Sequence, residues 1–288
     1  MISLKSLLPI LSFTALSVSA CGPTGDASDV DMARSSAQAA SGSAFAILSA
    51  APDGGGAVTC TDSTILGDVG SSGAPASIVQ TSCAITGAII APVSSQDVAG
   101  FYGQHDALAA VPCDQVLTGT LAGRTLSPGV YCFDAAATLT GTLTLSGPSN
   151  GTWLFKVGTG GTGALTGTNF SVVMAGGAND CNVTWWVAEA ATMTTSSFIG
   201  TINAGAAITV TGGSFYGNAL AKAAVTLTGS SLTGCAASSQ PSHYGCNQGV
   251  GNGPEGCDPG NSNQGNPGNS NDENGGTPGN PGKRGGKK

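Results

Sequence analysis

Three hydroxyl-bearing triplets recur at a step of 17 residues: Thr192-Met-Thr194, Thr209-Val-Thr211 and Thr226-Leu-Thr228. Each is followed at one offset by a serine (Ser197, Ser214, Ser231), an apolar residue (Phe198, Phe215, Leu232) and a glycine (Gly200, Gly217, Gly234). Looser copies lie upstream, at Thr138-Leu-Thr140-Gly and at Leu165-Thr166-Gly-Thr168-Asn169. Such residues offer neutral hydroxyls and methyls, not acids, bases or nucleophiles. Residues 191–236 contain no Asp or Glu, and Asp134, Asp180 and Glu189 stand apart near turns. Polysaccharide lyases and hydrolases built on stacked β-coils need clustered carboxylates, so an enzyme is not expected. With only His105 and His243 in the chain, neither a multi-histidine metal site nor a histidine-based triad is expected, and no cofactor.

The triplets fix their own surroundings. In a strand, alternate side chains face opposite ways. Met193, Val210 and Leu227 point inward, so their flanking threonines point out. A fixed short period marks a solenoid, in which each coil buries its inward residues by stacking on the next. Seventeen residues suit one coil of three short strands and tight turns, which makes the fold all-β. Stacking then sets Thr192, Thr209 and Thr226 in one file, Thr194, Thr211 and Thr228 in the next, and Ser197, Ser214 and Ser231 in a third. Rungs about 4.8 Å apart and an i to i+2 step of about 6.6 Å lie near the repeats of water oxygens in hexagonal ice. A flat grid of this kind can order water, the methyls caging it and the hydroxyls anchoring it. Threonine also simply favours strands. However, residues 136–235 hold 19 threonines, in files, and only Lys156, Asp180, Glu189 and Lys222 carry charge there.

One helix is expected beside the coils. Ser94 followed by Asp97 resembles a capping box, and Val98, Phe101, Tyr102, His105, Leu108 and Ala109 recur at helical spacing over about 95–110. His105 lies on that apolar stripe and reads as a partly buried core histidine. Trp153, Trp185 and Trp186 lie in alternating apolar runs, and one of the adjacent pair is expected to face outward.

Around this domain the chain changes character. Residues 1–20 carry Lys5, an apolar stretch from Leu7 to Val18, and small residues at Ser19 and Ala20, the pattern of an export signal. Val18-Ser19-Ala20-Cys21 resembles a bacterial lipobox, so Cys21 is the expected lipidated N-terminus and the protein's only membrane attachment, since multiple acyl chains anchor stably. The expected location is the cell envelope, the outer membrane where there are two, with the domain surface-exposed. Residues 21–42 read as a flexible tether, 43–236 as the folded domain, and 237–288 as a disordered Gly/Asn/Pro tail that repeats PGNSN at 259–263 and 267–271. The formal net charge is -7, with no basic stripe outside the last six residues, which argues against nucleic acid. Setting Cys21 aside leaves eight cysteines in an oxidising compartment, without zinc spacing. Local closure suggests Cys60–Cys83, Cys113–Cys132, Cys181–Cys235 and Cys246–Cys257.

Residues 43–236 resemble the DUF3494 family of ice-binding proteins. The motifs are Phe45-Ala-Ile-Leu48, Gly67-Asp68-Val69-Gly70, Leu117-Thr-Gly-Thr-Leu121, Leu126-Ser-Pro-Gly-Val-Tyr131, Leu139-Thr-Gly-Thr-Leu-Thr-Leu145, Trp153-Leu-Phe-Lys-Val157, Cys181-Asn-Val-Thr-Trp-Trp-Val187, Phe198-Ile-Gly-Thr-Ile202 and Gly217-Asn-Ala-Leu-Ala221. The resemblance implies an irregular right-handed β-solenoid, triangular in section, with one long α-helix along a face. It implies adsorption to ice as a monomer, with inhibition of ice growth and recrystallisation, and an ice face built on Thr-(Ala/Gly)-x-(Thr/Asn). Thr166-Gly-Thr-Asn169 fits that pattern; Thr211-Gly-Gly-Ser214 and Thr228-Gly-Ser-Ser231 end in serine, and Thr194-Thr-Ser-Ser197 departs further. Thr140, Thr166, Asn169, Thr192, Thr194, Ser197, Thr209, Thr211, Ser214, Thr226, Thr228 and Ser231 are therefore the candidate ice contacts. The competing reading is a structural or adhesive envelope solenoid that binds a polymer or another surface.

Overall fold

The computed structural model describes residues 45–235. The expected signal peptide, Cys21, the tether, the tail with Cys246 and Cys257, and residues 43, 44 and 236 lie outside the described residues.

Alternating apolar and small polar residues make short strands, and every described strand pairing is parallel. One sheet runs, in spatial order, Ile89–Ile90, Asp68–Ser71, Phe45–Ser49, Ala219–Ala221, Thr201–Ala204, Val183–Val187, Trp153–Val157, Gly129–Phe133 and Gln115–Val116. The main path of the other runs Ile78–Thr81, Val58–Thr61, Val225–Thr228, Ile208–Tyr216, Ala191–Ile199, Leu165–Ala175, Ala137–Ser146 and Thr125–Leu126.

Chain order and spatial order therefore differ. The chain coils away from Phe45 to Ile90, crosses the whole stack, and coils back from Gln115. Its last coil docks on its first, with Ala219 beside Ile47 and Leu227 beside Cys60.

The crossing is the helix Ser95–Ala110. Eight strand spacings amount to about 38 Å, and sixteen helical residues supply about 24 Å of it. The extended segments on either side supply the rest. Ser94 closes the capping box, accepting from the Asp97 amide at 3.1 Å while the Asp97 carboxylate accepts from the Ser94 amide at 3.2 Å. Phe101 packs with Phe45, Leu48, Ala50, Val93 and Leu220, and Leu108 with Val130, Cys132, Leu154 and Trp186. The helix thus lies over the middle of one sheet, from the Phe45–Ser49 strand to the Gly129–Phe133 strand. Gln104 is buried with these residues and Ala109 is exposed, a small departure from the expected stripe.

Two polar groups fix the helix further. Lys156 is 4% exposed and donates to the carbonyls of Ala109 and Val111 at 2.7 and 2.6 Å, meeting the negative helix end. Burial holds its ammonium below the usual lysine range. His105 is buried as expected. Burial, with Lys222 nearby, lowers its pKa, while the Val187 carbonyl and Asp106 act in the opposite sense.

The outward-facing tryptophan is not found. Trp185 is fully buried, and Trp186 points out of its sheet but under the helix, donating to the His105 carbonyl at 2.9 Å. Adjacent positions on a strand do face opposite sides; the covering helix removed the second side from solvent.

Inside the stack, Tyr131, Phe155 and Trp185 lie in register on successive strands, with centroids 5.5 and 4.0 Å apart. Phe198 and Phe215 extend the aromatic column at 5.3 and 5.1 Å. Full burial of each large apolar side chain stabilises by roughly 1.5–3 kcal/mol. Cys60–Cys83, Cys113–Cys132 and Cys181–Cys235 are bonded, in the expected pairing.

Candidate functional site

The second sheet presents the threonines. Its register aligns Thr138, Thr166, Thr192, Thr209, Thr226 and Thr59 in one unbroken file. A second file runs Thr168, Thr194, Thr211, Thr228, Thr61 and Thr81. Thr140 lies at the far end of this second file, where the pairing shifts register between Leu139 and Gly141. Thr168, Thr211, Thr228 and Thr81 are exposed; Thr140, Thr166, Thr192, Thr194, Thr209, Thr226, Thr59 and Thr61 are half-buried by their neighbours. Neither file contains a charged residue.

Between the files, the inward residues are Leu139, Gly167, Met193, Val210, Leu227 and Cys60, all buried. Gly167 is the only one without a side chain for a specific reason. A Cβ there would lie 2.6 Å from the Met193 sulfur, which fills the space. The large neighbour and the missing side chain together keep the rung level.

Five threonines escape the repeat-based reading as site residues: Thr59, Thr61, Thr81, Thr138 and Thr168. Thr138 and Thr168 sit inside the quoted upstream copies. Thr59-Cys-Thr61 has the same Thr-apolar-Thr form, with a disulfide cysteine as its inward residue. It belongs to the plane because its strand, 167 residues away in the chain, docks against Val225–Thr228.

The strands then bend. Ser82, Asp62, Gly229, Gly212, Thr195 and Asn169 all have positive φ, and the burial alternation resumes one residue out of phase. Buried Ser196 pins the bend, accepting from the Phe170 amide at 3.2 Å and donating to the Thr194 carbonyl at 3.0 Å. At Gly213 (φ +78°) a Cβ would meet the Ser196 carbonyl oxygen at 2.1 Å. Asn169 sits in the bend, where the Thr195 hydroxyl donates to its Oδ1 at 2.5 Å.

Ser197, Ser214 and Ser231 do form a file, with Ser171 and Thr64, but on the run beyond the bend. The Ser214 hydroxyl donates to Ser197 at 3.3 Å. Beside them runs a mostly apolar file that includes Ile199, Tyr216 and Leu66, interrupted by Thr233. This run is mixed in chemistry, unlike the threonine plane. The structure thus joins nine of the twelve expected contacts near one surface: eight threonines in the plane and Asn169 at its margin. It sets the three serines apart.

Among the described residues, no group of three or more His, Cys, Asp or Glu side chains lies close enough to hold a metal ion. None of the described helices is long and apolar enough to cross a membrane.

Known proteins with these features are similar in sequence and shape. An ice-binding protein of Typhula ishikariensis is 34% identical over 96 residues, covering 33% of this chain and 38% of that protein. One from a Leucosporidium species is 30% identical over 173 residues, covering 52% of this chain and 64% of its own length. The chain thus spans less than two thirds of each of these curated relatives. The crystal structure of an ice-binding protein from the Antarctic ascomycete Antarctomyces psychrotrophicus superposes with a TM-score of 0.60 at 33% identity, covering 68% of this chain and 96% of that one. The ice-binding-like family model matches residues 53–233, more than half of the sequence and nearly all of the described fold, so the chain belongs to the ice-binding-like family.

Proposed function

We propose that this chain binds ice through the plane of its two threonine files and so restrains ice growth and recrystallisation. The observation that carries this reading is the uncharged, in-register alignment of twelve threonines across seven rungs. The rigid parallel ladder holds methyls and hydroxyls at repeats close to those of ice, so little ordering cost remains at adsorption. The methyls exclude competing hydrogen bonds and leave water caged, while the hydroxyls tie that layer to the protein. Charged groups would impose their own hydration geometry, and the plane has none.

The same reading takes the stack as a right-handed solenoid of triangular section, of the DUF3494 type, acting as a monomer without cofactor or catalysis. It takes Cys21 as the lipidated N-terminus, which would hold the domain at the cell envelope and near extracellular ice. Adhesion through an exposed tryptophan loses its support, because Trp153, Trp185 and Trp186 are all buried.

The test is thermal hysteresis and recrystallisation inhibition with the purified chain, its disulfides formed. Faceted crystals and a freezing gap are the expected result. Unhindered crystal growth with a folded sample overturns the proposal.

A further inference from the structure

The run beyond the bend carries a groove of about 790 Å³ whose lining includes Val173, Met174, Ile199, Tyr216, Asp180 and Cys235. Val173 and Tyr216 are 46% and 45% exposed, among the most exposed large apolar side chains of the described fold. Cys235 is also where the described chain ends. It is fixed on the groove wall by its bond to Cys181 and by its amide, which donates to Asn218 Oδ1 at 2.9 Å. Whatever follows in the chain starts beside this apolar surface.

We propose that the groove is the docking site for the chain's own segment 241–246, Pro-Ser-His-Tyr-Gly-Cys, with Tyr244 as its anchor. Three observations select this occupant. Residues 236–288 contain only two large apolar side chains, Tyr244 and Val250, and both fall within fifteen residues of the groove. Among the described residues of the lining, Asp180 is the only charged side chain, and His243, next to the anchor, is the only basic residue of the chain between Cys235 and Lys283. Finally, the reach suffices. Val173 and Tyr216 lie two rungs apart, about 10 Å, whereas the nine residues from Cys235 to Tyr244 extend up to about 30 Å. Val173, Ile199 and the exposed Tyr216 ring offer an aromatic anchor an apolar seat.

Tethering makes a small contact sufficient. A short linker gives an effective concentration of order mM, so an intrinsic Kd of about 0.1 mM leaves the site empty only about one tenth of the time. The docked segment would cover the apolar part of this run and leave the threonine plane free.

The experiment is nitration of Tyr216 by tetranitromethane, read by peptide mass. It compares the full chain, a chain ending at Cys235, and the full chain carrying Tyr244→Ser. Tyr216 should react about tenfold more slowly in the full chain than in the other two, as expected from that occupancy, and the protection should not depend on protein concentration. Equal nitration with and without the tail overturns the proposal. So does protection that survives Tyr244→Ser, and so does protection that grows with concentration, which would make a second copy the occupant. None of these outcomes depends on ice activity.

Discussion

Thr61→Tyr is the most discriminating change, because nothing near it in the chain belongs to the 17-residue repeat. Thr61 pairs with Thr228 on one side and Thr81 on the other. The second file from Thr168 to Thr81 has six rungs, so it is about 24 Å long at 4.8 Å per rung. A tyrosine ring standing out of the plane holds a flat lattice beyond the 3.5–4.0 Å contact distance of its neighbours. At Thr211 the ring leaves two contiguous rungs on one side and three on the other; at Thr61 it leaves four and one. Thr211→Tyr should therefore abolish thermal hysteresis, and Thr61→Tyr should remove more than half of it. Neither side chain supports the core, so stability should change by no more than about 0.5 kcal/mol, or about 2 °C in Tm. Nanolitre osmometry at matched concentrations, with a melting curve for each variant, reads both quantities. Full hysteresis in a folded Thr61→Tyr protein would refute the idea that the plane continues onto the first coils. Full hysteresis in both variants would remove the threonine plane as the ice face.

The covered sheet gives further tests. Lys156→Met removes two hydrogen bonds from a buried ammonium and leaves the Ala109 and Val111 carbonyls without it; urea unfolding should show a loss of about 2 kcal/mol. His105 has a lowered pKa in the fold, so the unfolded chain takes up the proton first as pH falls. Its contribution is present above about pH 6.5 and is lost as pH drops through the folded value. His105→Gln should flatten that part of a Tm-against-pH profile. The Cys181–Cys235 bond closes a loop with a sequence separation of 54. Replacing both cysteines by serine should cost about 4 kcal/mol by the chain-entropy model, measured as a shift of the urea midpoint.

Local patterns were legible wherever neighbours in sequence are also neighbours in space. The helix limits needed only the capping signal and helical spacing, and the threonine files from 192 to 228 needed only strand alternation and the 17-residue step, because successive coils there stack directly. The three disulfides match the pairing that local closure suggested, two of them at separations of 19 and 23. What was not legible depends on the break in stacking order. Thr59 and Thr61 could not be joined to Thr226 and Thr228 without knowing that the last coil docks on the first. The serine file was misplaced for another reason: spacing alone does not show that Thr195 and Asn169 adopt positive φ, and that bend turns Ser197 out of the plane. Trp186 was misjudged because periodicity shows which side of a sheet a residue faces, not what lies on that side.

The break in stacking order also explains why one surface is left for water. A simple solenoid of this chain would end at Val225–Thr228, and its plane would stop there. By returning through the helix, the chain adds the rungs of Val58–Thr61 and Ile78–Thr81 to the same plane. That return needs a long element lying across one sheet, and the outward residues of that sheet become Leu154, Trp186, Leu220 and Leu48, all buried. The run beyond the bend alternates a serine file with a mostly apolar one. Of the surfaces the coils present, only the threonine plane is both uncovered and uniform. Extending it and covering the opposite sheet are two results of one topological choice, so damage to the helix seat at Lys156 should reach the threonine plane only by loosening the whole stack.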